Sequence, residues 1–173
     1  TVQAGSGGGA AGSYDGGDGG GTVKIIVSDL FVFNGSIITR GTDGKGVDAG
    51  TDYVAGGGAG GSIWIVADNL TGAGALVAAG GDGFQASSRD GGGGAGGRII
   101  VYYNSTSWNS TDFSRSNISG GTTDLASPNA EPGYRGTLAF IDMINDDVNI
   151  FKGFRFQAND ESQGYLNRHL FNM

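Results

Sequence analysis

The chain has 173 residues, of which 37 are glycine, two proline and none cysteine, and its formal net charge is −7. That length suits one domain. With an acidic balance and no Lys/Arg stripe, nucleic acid and anionic membrane are poor partners. No apolar run is long enough to span a bilayer. Without cysteine, disulfides and thiolate metal sites are excluded.

Glycine is about three times its usual share of roughly 7 %. The total of Leu, Ile, Val and Phe lies just above the level of about 20 % at which disorder becomes the expectation. Those apolar residues stand in short β-branched runs, which argues for an ordered chain of strands.

In chain order, residues 1–21 are low-complexity, with Gly5-Ser6-Gly7-Gly8-Gly9 and Asp15-Gly16-Gly17-Asp18, and form the first of four glycine blocks. Val23, Ile25 and Val27 then alternate with Thr22, Lys24 and Ile26, the two-residue period of a strand with one face inward. Leu30-Phe31-Val32-Phe33, the turn Asn34-Gly35 and the short strand Ser36-Ile37-Ile38 follow, closed by Gly41-Thr42-Asp43-Gly44. A second unit repeats that order: strand 62–67, turn Gly72-Ala73-Gly74, strand 75–79 and closing turn Gly80-Gly81-Asp82-Gly83. Asn34 to Gly44 and Ala73 to Gly83 align without a gap. A third strand starts at Arg98, and residues 104–135, rich in Ser, Thr and Asn and holding both prolines, read as an insertion loop. Residues 136–141 resemble a fourth strand entry, and residues 147–158 read as one or two further strands before the tail. No segment keeps a helical period over ten residues.

The last glycines before the three long strands are Gly21, Gly61 and Gly97, spacings of 40 and 36 residues. A period of that size predicts stacked repeats, each burying its apolar face on its neighbour. The expected organisation is glycine-rich repeats over 1–103, the insertion over 104–135, and C-terminal strands over 136–173 completing the same domain. The predicted interior is Val23, Ile25, Ile63, Ile65, Ile99 and Val101 in aligned stacks. Glycine at the corners supplies positive φ or close backbone approach. Packed polyglycine-II helices are a second use for the same blocks.

The polyglycine stretches at 55–61 and 91–97, the Ser- or Arg-led strands after them, and Gly74-Ala75-Leu76-Val77-Ala78-Ala79-Gly80-Gly81 together carry a resemblance. The chain resembles the glycine-rich β-helix repeats of microbial and protist extracellular surface proteins over residues 5–103. The resemblance implies an all-β, right-handed parallel β-solenoid of the pectate-lyase-like or adhesin type, with a C-terminal β extension, at the cell surface. It implies little about function.

Five Asn-x-Ser/Thr sequons, at Asn34, Asn69, Asn104, Asn109 and Asn117, point to covalent N-glycans and an extracellular location. Val148, Ile150, Phe151, Phe154 and Phe156, with Tyr165, Leu166, Leu170 and Phe171, are expected to add a strand to a neighbouring copy. The leading reading is therefore a structural subunit whose partners are copies of itself, in a filament or surface layer. A second reading is a carbohydrate-binding adhesin that stacks sugars on Trp64, Tyr102 and Trp108, with Trp64 directly beside Tyr102 when the strands stack; core or inter-subunit packing is the other use of these rings. A third is a polysaccharide lyase or hydrolase, but none of the 17 carboxylates has a distinctive setting. With His169 as the only histidine, neither a His-based triad nor a multi-His metal site is available. No metal site or cofactor is expected. Calcium is the one ion that the Asp/Gly turns leave open, and they lack the tandem nonapeptide period that tight calcium repeats need. Asp is a turn former in its own right.

Overall fold

The computed structural model describes residues 2–48, 53–109, 112–113, 115–123, 130–151 and 165–169. They are mostly strand and extended segments with almost no helix. Among the described residues there are ten strands: β1 Thr22–Val32, β2 Ser36–Ile38, β3 Gly46–Val47, β4 Tyr53–Val54, β5 Ser62–Thr71, β6 Ala75–Val77, β7 Arg98–Thr106, β8 Thr137–Asp142, β9 Asp147–Phe151 and β10 Tyr165–His169. They make a mixed six-stranded sheet, β1-β5-β7-β8-β9-β10, and two small sheets, β2-β6 and β3-β4.

The sequence period sets the register. Thr22 pairs with Ser62, Ser62 with Arg98 and Arg98 with Thr137, all in parallel strands. Side chains alternate faces along each strand, so two inward stacks form: Val23-Ile63-Ile99-Leu138 and Ile25-Ile65-Val101-Phe140. Ile63, Ile65, Ile99, Val101 and Phe140 are fully buried. Burying each such side chain is worth about 1.5–3 kcal/mol. Of the predicted interior, Ile63, Ile65, Ile99 and Val101 are buried, whereas Val23 and Ile25, at the end of the stacks, are only partly covered. The gap-free repeat is also observed, because Ser36, Ile37 and Ile38 pair with Ala75, Leu76 and Val77.

Two elements differ from the sequence reading. Residues 22–33 do not divide into two runs: β1 is continuous to Val32, with an irregularity between Val27 and Leu30 that keeps both halves paired to β5. The stretch read as an insertion loop contributes Trp108, Phe113 and Ile118 to the core. Asn117 forms a parallel bridge with Val77, which lays this segment beside β6 as β6 lies beside β2. Composition misled because three large apolar side chains are enough to anchor a segment that is otherwise mostly polar.

The glycine blocks form a third side with its own logic. In residues 56–61, Gly56 and Ala59 donate to the carbonyls of Gly9 and Ser6, at 2.9 Å each. Gly57 and Gly60 donate to Gly92 and Ala95, at 2.9 and 2.8 Å. Gly58 and Gly61 donate to Thr42 and Thr39, at 2.9 and 2.7 Å. Every third N–H therefore points to the same neighbour. That is the period of a three-residue-per-turn extended helix, which has no internal hydrogen bonds and must bond sideways. Other segments donate back: Gly17 to Gly56, Gly20 to Ala59 and Gly81 to Gly58, each at 2.8 Å. Buried backbone polar groups are thus satisfied without a sheet. The blocks pack as polyglycine-II helices.

Close approach, not positive φ, is what this packing demands. A Cβ on Gly58 would overlap the Asp18 carbonyl, and one on Gly94 the Gly58 carbonyl. Only Gly12 and Gly72 among the described glycines have positive φ.

Candidate functional site

Two surfaces concentrate features that packing alone leaves unused. The first is the edge formed by β1 and β2. Among the described residues β1 has one partner strand, β5, so its 11 residues present an open row of backbone groups. Ile26, Leu30, Val32 and Ile38 are exposed there, at 65 %, 53 %, 56 % and 64 %. Beneath them, Ile25, Val27, Phe31 and Ile37 are only partly buried against the core. The core is therefore uncovered at this end. At the other end the parallel run passes into antiparallel β9 and β10. There Phe140 packs against Phe113 with ring centroids 4.2 Å apart, and Trp108 lies 6.2 Å from Phe140.

The second surface is the outer face of the large sheet. Lys24, Trp64 and Ile100 form one row of paired residues, and Ile26, Val66 and Tyr102 the next. Trp64 and Tyr102 are therefore diagonal neighbours and not directly paired, and their rings sit 6.2 Å apart at 59°. Lys24 Nζ lies 4.6 Å from the centre of the Trp64 ring. The Trp64 indole N–H is buried without an acceptor.

The third aromatic expected on a sugar platform is corrected: Trp108 is buried in the core, stacked near Phe33 at 6.1 Å. Core packing, the other use open to these aromatics, is the one Trp108 takes. The signal that could have found it is the echo of Gly80-Gly81 in Gly120-Gly121, a spacing of 40 residues that extends the repeat through this stretch.

The expected glycan acceptors divide by environment. Asn34, Asn109 and Asn117 are exposed. Asn34 Oδ1 accepts from the Ala73 N–H at 3.1 Å and Asn117 Oδ1 from the Ser119 N–H at 2.9 Å. Asn69 and Asn104 are half-buried. Asn104 Nδ2 donates to Asp68 Oδ1 at 2.9 Å, and Ser105 Oγ donates to Asn69 Oδ1 at 2.5 Å. Their amides tie β5 to β7.

Of the residues expected to drive assembly, Val148, Ile150 and Phe151 lie in β9, and Tyr165 and Leu166 in β10, already paired to each other within the sheet. Phe154, Phe156, Leu170 and Phe171 lie outside the described residues. Among the described residues the sheet order ends in β10 on this side and in β1 on the other, and the long edge with exposed apolar side chains is that of β1.

The Asp/Gly turns are occupied with cross-links between neighbouring segments. Asp43 Oδ1 accepts from the Asp82 N–H at 2.8 Å, and Asp82 Oδ1 accepts from the Thr122 N–H at 2.6 Å and its hydroxyl at 2.9 Å. Arg40 Nη2 sits 2.7 Å from Asp43 and 3.5 Å from Asp82, an exposed pair worth little by itself. Near β9, burial pushes the Asp142 carboxyl up, but hydrogen bonds from the Asn145 backbone, the Asn145 side chain and the Ile144 N–H outweigh it. The group is held below its ordinary value.

No family model, curated protein or solved structure matches this chain.

Proposed function

We propose that this chain is an extracellular, glycosylated structural subunit, not an enzyme, that associates with copies of itself into filaments or a surface layer. In this reading the parallel strands and glycine segments are successive turns of a right-handed β-solenoid. The observation that carries it is the open edge of β1 and β2, with four exposed apolar side chains above a half-covered core. A long, apolar, unpaired edge is a template for another chain, and soluble monomers usually blunt it with charge, proline or a covering loop. Lys24 and Asp29 are the only charges on β1. Contacts between unlike ends that do not close into a ring give fibres.

The test is electron microscopy and sedimentation of the purified native chain, with intact mass on the same sample. Regular fibres and a mass above 17.4 kDa per chain are expected. The triple substitution I26K/L30K/V32K changes only exposed positions and should leave a folded monomer. A native chain that stays monomeric at high concentration would sink the assembly reading.

A further inference from the structure

A shallow groove of 310 Å³ runs over the start of β5, β7 and β8. Its floor is backbone, at Gly60, Gly61, Gly96, Gly97 and Gly136. Arg98, Arg135 and Thr137 rise from it. A smaller cavity of 60 Å³ continues from it across Trp64, Ile100 and Tyr102, sharing Ser62 and Arg98. The two therefore form one track, basic at one end and aromatic at the other.

The charge of this track is opposite to that of the molecule. Seventeen carboxylates outnumber ten Lys and Arg in the chain, yet among the described residues no Asp or Glu lines either cavity. Arg98 and Arg135 are exposed and make no ion pair among the described residues. Lys24, over the Trp64 ring, adds a third cation beside the aromatic end. A side-chain-free floor lets a polymer lie close to the backbone. Guanidinium groups match carboxylates with two parallel hydrogen bonds. Aromatic rings offer the flat apolar surface that a sugar face covers.

We propose that this track binds an acidic polysaccharide, with uronate carboxylates on Arg98 and Arg135 and the adjoining sugar against Trp64 and Tyr102. The aromatic end and the Thr137 hydroxyl favour a polyhydroxylated chain over an acidic peptide, which would need charge alone. The track lies over β5, β7 and β8, so the inference stands or falls separately from assembly through β1.

The test is titration calorimetry of the folded chain with three soluble probes: hyaluronan, which alternates uronate with neutral sugar, uncharged dextran, and polyglutamate. Hyaluronan should bind, with dextran and polyglutamate at least tenfold weaker. R98Q/R135Q should lose at least tenfold in hyaluronan affinity at an unchanged melting temperature, because both side chains are exposed. R98K/R135K keeps the charge but loses the forked geometry, and should fall between the two. Equal binding of polyglutamate would reduce the track to a charge patch and overturn the sugar assignment. Equal binding of dextran, no binding of hyaluronan, or no loss in R98Q/R135Q would overturn it as well.

Discussion

The strand side and the glycine side of this molecule satisfy the same backbone requirement in opposite ways. On the strand side, alternate side chains point inward, and stacks such as Ile63-Ile99 and Ile65-Val101 fill the space between sheets. Stability there comes from apolar volume removed from water. On the glycine side there is no side-chain core. Segments approach until backbone meets backbone, and hydrogen bonds run outward at a three-residue period. The lesson is that burial has two currencies of error: the strand side is damaged by losing atoms, and the glycine side by gaining them.

Three substitutions sharpen the contrast. The largest effect is expected from Phe140→Ala, which empties a fully buried site between the Ile25-Ile65-Val101 stack and the Trp108 and Phe113 rings. Urea denaturation should show a loss of about 3–5 kcal/mol. Next comes Gly58→Ala, where a single methyl would overlap the Asp18 carbonyl with no flexible side chain to give way. Overpacking of that kind costs about 1–3 kcal/mol, and a result within error of zero would mean the glycine segments are not packed as described. The smallest effect is Gly21→Ala, at a site where a Cβ meets nothing within 4 Å and φ is not positive. Less freedom in the unfolded chain should raise stability by about 0.4–1 kcal/mol. Opposite signs at Gly58 and Gly21 would separate glycines held by close approach from those that merely fill the sequence.

The surface features were less readable than the core. Trp64 and Tyr102 stood out as aromatics on outward positions, and alternation alone placed them on one face. Arg135 did not stand out, because it lies 37 residues from Arg98 and follows a stretch that looks like a loop. The open edge was expected at a chain end, among the aromatics after Val148. Pairing shows two terminal strands among the described residues, β10 at that end and β1 at the other, and the long apolar edge of β1 is the one the sequence did not single out.

The sequence by itself determined the all-β character, the parallel pairing of the first three long strands and the identity of the core stacks. A two-residue alternation repeated at 40 and 36 residues allows one register that keeps every apolar face inward. It also restricted the glycine blocks to conformations without side chains. Only the tertiary structure decided that those blocks bond to one another in three directions, that Trp108 turns inward, and that Arg98 and Arg135 share a groove. Each of these depends on which distant segments become neighbours, and local propensity carries no information about that.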